Sequence, residues 1–457
     1  MSMVALLLLS SAFLIGGAEP ATIVLGALIG ALGVYKPATA LWTNIGFLVF
    51  ACVALPPPPP GPLPLQYYFW GAGAAMIATG ASLGWLGKRP DPAPATSIPF
   101  DSIMRLIFAV CVISSIYGIV RGNSPFAVVR QLFGCALLFV YYLLGQHFFL
   151  SLADIEHWIK NVTRAVAAAS AVYSAKAISI SLRESSYFQD RSPLAFLAGG
   201  AVVLLFVEIL RIPSVKARIL NSLFLVFCTL EILASGARFV MGSAIATVLI
   251  VVLLRQRRRV WLGGIAFLLL SGIAVGIFVS HLDELTGQLN TVAGLAQRFS
   301  PINITDDWSY LSRIAQMQSI FATVRQHPIL GAGMGADVNY VVDDHPNLFN
   351  TTPYVDNGWG FVLLKMGLVG LLLFLALIWK FLRFAVRPLP PQIPLRILHL
   401  RESLLALLLF GILSFTGGPT FFQFTSSSLL GVDLGALGCL WSILSSSMQP
   451  SESSIPA

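Results

Sequence analysis

Residues Gly358–Arg383, GWGFVLLKMGLVGLLLFLALIWKFLR, carry only three charges, Lys365, Lys380 and Arg383. As one helix the run would rise about 39 Å, enough to cross a hydrocarbon core of about 30 Å. A helix that is apolar all round belongs in a large core or in lipid, so this stretch reads as a membrane span. Similar runs recur near 3–17, 20–35, 39–55, 66–86, 102–120, 127–149, 161–181, 193–210, 219–234, 238–254, 260–280, 402–418 and 427–447. The first two are short for a span. The reading is therefore an all-α polytopic membrane protein with about 10–14 transmembrane helices. Composition agrees. Of 457 residues, 56% are hydrophobic and 11% charged, where soluble domains average about 25% charged. These proportions argue against a soluble enzyme, a nucleic-acid binder and a disordered scaffold. The N-terminal run has no basic region before it and is followed at once by further apolar runs, so it reads as a first span rather than a cleaved signal.

The net charge of +8 is placed at the ends of apolar runs, which is topology and not a nucleic-acid footprint. With the N-terminus in the cytoplasm, inside loops hold 18 Lys and Arg and outside segments hold 8, as the positive-inside rule requires. All eight outside residues are arginines: Arg121, Arg130, Arg183, Arg191, Arg238, Arg298, Arg313 and Arg325. The five cysteines sit in or beside apolar runs with no CxxC, and read as small buried hydrophobes. Pro56–Pro60, with Pro62 and Pro64, reads as a stiff spacer. The longest polar stretch, 281–355, falls outside and carries His281, His327 and His345. Loops of such length tend to be functional. Within it, Leu311–Val324 has the period of an amphipathic helix, with Ile314, Met317, Ile320 and Phe321 on one face. The organisation expected is a transmembrane bundle over 1–280, a large, partly helical cap over 281–355, and C-terminal transmembrane helices over 356–457, as one structural unit.

Four pieces on the outer side can carry chemistry. Arg238, in Ala234-Ser235-Gly236-Ala237-Arg238, stands at the mouth of a span, where a guanidinium either snorkels to water or presents its fork of donors to phosphate oxygens. Glu231, two helical turns back, can orient it. Arg313 opens the amphipathic helix and is either a solvated surface residue or a second phosphate ligand. In His327-Pro328-Ile329-Leu330-Gly331-Ala332-Gly333-Met334-Gly335 the glycines either form a turn or let amides approach an anion closely. Asp356, in Tyr354-Val355-Asp356-Asn357-Gly358, either caps the following helix or acts as a general base at the membrane surface.

Taken in order and on one side of the membrane, these pieces resemble the O-antigen ligase and O-antigen polymerase superfamily, bacterial inner-membrane glycosyltransferases of the C-type fold. The family pattern of a Ser-Arg pair at a span mouth, an Arg opening a periplasmic helix, a His-Pro-Leu-Leu-Gly-x-Gly turn and a His-Asn or Asp-Asn start to a Gly-x-x-Gly span is similar to Gly236-Ala237-Arg238, Ser312-Arg313, His327–Gly333, and Asp356-Asn357 with Gly367-Leu368-Val369-Gly370. The earlier loop Phe188-Gln189-Asp190-Arg191-Ser192-Pro193 is loosely similar to a family loop. The likeness covers about 230–380. One departure matters: the ligases carry histidine where this chain has Asp356, a form associated with polymerases.

The resemblance implies a polyprenyl-diphosphate-linked oligosaccharide as donor and a glycan or lipid-linked glycan as acceptor, in a multi-pass protein of the inner membrane whose active site faces the periplasm. Arg191, Arg238 and Arg313 would meet the diphosphate, with Asn357, Gly331 and Gly333 in the same binding set. Asp356, His345 and His327 are the candidate bases. No DxD or HExxH metal signature occurs in the outer loops, so arginines in place of a metal and no cofactor form a coherent expectation, with an inverting single displacement. Membrane lipids and other polysaccharide-export proteins are the expected partners. Polymerisation of repeat units is the leading activity, and transfer to lipid A core is the alternative. A transporter, with Glu208, Glu231, Asp433, Lys176 and Lys365 facing a path through the membrane, and a scaffold of an export complex stay open as other classes.

Overall fold

The structure, a computed structural model, describes residues 18–36, 47, 76–77, 79–80, 82–83, 100–149, 151–184, 194–211, 214–234, 237–254, 308–342, 345–352, 354–387 and 393–447. The runs expected near 3–17 and 260–280, the proline spacer, Arg191 and His281 lie outside these residues, and those near 39–55 and 66–86 lie almost wholly outside them. The described helices are α1 (Ala18–Tyr35), α2 (Asp101–Val120), α3 (Pro125–Phe148), α4 (Leu152–Glu184), α5 (Leu194–Ile209), α6 (Val215–Ala234), α7 (Arg238–Leu254), α8 (Trp308–Gln326), α9 (Gly358–Val386), α10 (Leu395–Ser414) and α11 (Phe424–Ser447), with a short 3-10 turn at Thr420–Phe422. Among the described residues, five helices are long and apolar enough to cross a membrane: Asp101–Val120, Pro125–His147, Gly358–Ala385, Leu395–Ser414 and Ser426–Ser445. The all-α polytopic architecture is thus present.

Two features organise the bundle. Helix α5 is apolar apart from Glu208 in its last turn, and Leu194–Ala201 is buried without interruption; α4, α6, α7 and α10 pack around it. Helices α3 and α11 pack along their length. A Cβ on Gly431 would lie 2.5 Å from the carbonyl oxygen of Leu138, and one on Gly435 the same distance from that of Tyr142. Small residues at these positions let the two backbones approach, as is common between membrane helices. The described cysteines, Cys111, Cys135, Cys228 and Cys439, are all buried and free.

The polar segment holds one element the periodicity did not suggest. Strands β1 (Val338–Val342) and β2 (His345–Thr352) pair antiparallel, Val338 opposite Thr352, with an irregularity between Val341 and Val342. Helix α8 packs on β1 and on α9, which docks the hairpin against the bundle. The expected amphipathic helix is α8, but its inward face differs from the expectation. Ile320 is fully buried, whereas Ile314 and Phe321 are 39% and 50% exposed. Ser312 and Gln316, two turns and one turn before Ile320, are buried in their place. Polar residues face inward because each hydrogen-bonds a neighbouring element.

Helix α9 is not continuous. Gly367 breaks it with φ 62° and ψ −156°, a region that side chains other than glycine avoid. The turn after α8 fills the break. Ala332 N–H donates to the carbonyl of Leu364, Leu368 N–H to that of Pro328, and Val369 N–H to that of Ile329. The Ser114 hydroxyl from α2 donates to the carbonyl of Lys365. The polar groups released by the break are thus bonded within the protein, the condition for irregular backbone in a membrane. Lys365 is itself fully buried and its Nζ donates to the carbonyl of Ala336.

Candidate active site

Helix α8 brings two of the sequence-predicted residues toward each other. Its Arg313 guanidinium lies 4.2 Å from the centroid of the Phe239 ring, in the first turn of α7, the helix that Arg238 opens. The ring packs in turn on Gly417, where a Cβ would come 2.3 Å from Phe239 Cγ. Stacking uses the face of a guanidinium, while phosphate recognition uses its edge donors. Three residues after Arg313, on the same side of the helix, buried Gln316 accepts the N–H of Asp356 at 3.1 Å. Thus one helix face carries the arginine and holds the backbone of the carboxylate. A third bond, Ser312 Oγ to Tyr340 Oη at 3.3 Å, joins α8 to the hairpin.

The linker from β2 to α9 separates the roles of Asp356 and Asn357. The N-cap is Asn357: its Oδ1 accepts from the N–H groups of Trp359 at 2.8 Å and Gly360 at 3.2 Å. Such a cap contributes about 1 kcal/mol. Gly358 N–H donates to the carbonyl of Phe415 at 2.8 Å, and the Trp359 ring meets Phe415 edge-on at 5.2 Å. Asp356 precedes the cap with an exposed side chain. A capping role does not occupy its carboxylate.

The other predicted residues lie elsewhere. His327 comes just after the last turn of α8, half-buried, with its carbonyl accepting from Gly331 N–H at 3.0 Å. Eleven helical positions separate it from Gln316, about 16 Å along the axis. His345 is the first residue of β2 and faces Val342, whereas Thr352 faces Val338, so the two are separated by four strand positions of β1, about 13 Å. Of the three candidate bases, His327 is bonded to the last turn of α8 through its N–H to the carbonyls of Thr323 and Val324, and Asp356 is bonded to the turn that carries Arg313. Gly331 and Gly333 are buried with φ of 68° and 87°. A Cβ on Gly331 would lie 2.4 Å from the carbonyl oxygen of Leu364, and one on Gly333 2.7 Å from the Cα of Gly118. Their glycine identity is fixed by close packing on α9 and α2. Arg191 lies outside the described residues, and of Arg238 the structure describes the backbone position alone. Among the described residues no three His, Cys, Asp or Glu side chains converge as a metal site would need.

Sequence reasoning missed Gln316 as the holder of Asp356, although its spacing from Arg313 on one helix face was a usable signal. It also passed over Arg130, whose guanidinium lies 4.0 Å from the centroid of the Tyr354 ring.

No curated protein matches the chain. Residues 221–375, about a third of its length, match the family described as O-antigen ligase. That segment contains Arg238, Arg313, His327, Gly331, Gly333, His345, Asp356 and Asn357, and through it the chain is similar to the O-antigen ligase and polymerase superfamily of membrane glycosyltransferases.

Proposed function

We propose that this chain polymerises polyprenyl-diphosphate-linked oligosaccharide repeat units into a surface or extracellular polysaccharide, at the periplasmic face of a bacterial inner membrane. The observation that carries the reading is the pairing made by α8: Arg313 on the face whose Gln316 holds Asp356. The Asp356 carboxylate takes the proton of an acceptor hydroxyl as that oxygen attacks the anomeric carbon of the donor. The bond from that carbon to the diphosphate breaks, and the charge gathering on the leaving group is taken up by Arg313, helped by Arg238 and Arg191. Fixed guanidinium groups lower such a barrier because they need no reorganisation as charge develops. One displacement inverts the anomeric centre without a metal. The segments 281–355 and 356–457 contribute jointly, since Asp356 lies at their junction.

The family description favours a second reading, transfer of the glycan to lipid A core as a ligase does. Purified protein in lipid nanodiscs, given polyprenyl-diphosphate oligosaccharide alone and then with lipid A core, separates the two. A ladder of longer glycans is expected. Product on lipid A core only makes the chain a ligase, and no glycosyl transfer in either mixture overturns the enzyme reading in favour of transport.

A further inference from the structure

The linker that carries Asp356 is held from two sides. Gln316 of α8 holds the backbone of Asp356, while Arg130 of α3 lies over the ring of Tyr354 two residues earlier. Val355 between them is 2% exposed and Tyr354 is 40% exposed, with Asp356 also exposed. Tyr354 and Asp356 therefore emerge together, as alternate residues of an extended segment do. The position of Arg130 is fixed by its neighbour in the chain: Gln131 Oε1 accepts Gly335 N–H at 2.7 Å, locking this turn of α3 to the buried turn before β1. Exposed Asp337 follows Gly335 by two residues.

We propose that Tyr354 and Arg130 form the acceptor-sugar subsite of this enzyme, an inference that rests on Asp356 being the base and Arg313 a ligand of the donor. In an inverting displacement the entering oxygen and the leaving group stand on opposite faces of the anomeric carbon. With the leaving diphosphate assigned to Arg313 of α8, the acceptor is assigned to the other helix that meets the linker, α3, through Arg130 and Tyr354. The chemistry there suits a saccharide. A tyrosine ring offers a flat apolar face to the C–H face of a pyranose and a hydroxyl to its oxygens, and a guanidinium offers several fixed donors to ring hydroxyls or to a uronic carboxylate. Tyr354 is two residues from the carboxylate that would take the hydroxyl proton, and Arg130 lies on its ring.

The test uses the full chain in nanodiscs. The donor is the lipid-linked oligosaccharide that accumulates in cells deleted for this protein, and the acceptor is the same glycan released from its lipid by mild acid. Tyr354→Ala and Arg130→Ala should each raise the acceptor KM about tenfold, the worth of one stacked or charged contact, and leave the donor KM within about twofold. Tyr354→Trp, which keeps a flat ring, should restore most of the acceptor affinity. An unchanged acceptor KM, or equal rises for donor and acceptor, overturns the subsite while leaving the enzyme reading intact. If wild-type protein shows no transfer, that reading fails, and the subsite is judged by equilibrium binding of the released glycan. Binding about tenfold weaker in Tyr354→Ala sustains it, and equal binding in both proteins removes it.

Discussion

The two ends of the helical bundle treat arginine differently. At the end formed by Arg211, the start of α10 and the close of α9, guanidinium groups are tied to acids and carbonyls, and some also lie over a ring, Arg401 over Phe384 and Arg387 over Trp441. Arg211 bonds Glu402 and the carbonyl of His399, Arg396 clasps both oxygens of Glu156 at 2.6 Å, and Arg401 donates to the carbonyls of Phe384, Ala385 and Arg387. At the hairpin end Arg313 and Arg130 lie on the rings of Phe239 and Tyr354. A guanidinium bound edge-on to a carboxylate has its charge met within the fold, whereas a ring beneath it adds attraction without neutralising the charge. The lesson is that a count of basic residues at the two ends concerns topology, and what each guanidinium touches concerns chemistry. At the first end arginine closes the fold, and at the second the proposed reaction assigns it to a ligand.

Substitutions at the two ends should therefore separate activity from stability. The largest effect is expected at Asp356→Asn, which keeps shape but removes basicity: turnover should fall on the order of 10²–10⁴-fold in protein of unchanged melting temperature. Transfer at wild-type rate would leave the carboxylate without a role in proton transfer. Arg313→Lys comes next, with a loss of about 10–100-fold, because a point charge replaces neither the fork nor the stack on Phe239. Normal polymer length from that variant would make Arg313 a surface residue. Gln316→Leu releases the Asp356 backbone without touching either charge, and about tenfold in kcat is expected, with the donor KM little changed; a rise in donor KM alone would assign Gln316 to donor binding. The smallest effect on catalysis belongs to the opposite end. Glu402→Gln should lower stability by about 1–2 kcal/mol through its loosened bond to Arg211 and leave turnover per folded molecule within about twofold. A large catalytic loss there would erase the distinction between the ends.

Much of this is legible in the sequence, and the exceptions have physical causes. Helix-length apolar runs read correctly because lipid imposes a period-free, near-continuous signal. Arg313 and Asp356 are legible as candidates because their residue types and their order beside apolar runs stand out, and the structure adds that α8 bonds the linker of Asp356. The hairpin is not: His345–Thr352, HPNLFNTT, contains a proline, two asparagines and no clean alternation, so its strand character comes from pairing with β1, which α8 holds. The inward face of α8 escapes the sequence for a related reason. Apolar periodicity finds faces that bury carbon, and Ser312 and Gln316 are buried for their hydrogen bonds. Asp and Asn are near-equal caps in isolation, so only the backbone geometry assigns that role to Asn357 and leaves Asp356 outside the helix. The glycines of 331–335 read as a turn or an anion cradle, yet their need is set by Leu364 and Gly118, residues far away in sequence.

The break in α9 bears on the order in which the protein can assemble. A span usually completes its own backbone bonds as it enters the bilayer, which allows it to be stable there before any partner arrives. The middle of α9 cannot do so. Its carbonyls at 364 and 365 and its amides at 368 and 369 are completed by residues 328–332 and by Ser114, all synthesised earlier. Until those segments are in place, α9 would carry exposed polar groups costing several kcal/mol in hydrocarbon. The last part of the α8 connection is therefore a template awaiting its helix, and the linker with Asp356 reaches its final position in the same step. Membrane insertion of α9 and completion of the candidate site become a single cooperative event, so a chain stalled before α9 would hold the arginines but no working centre.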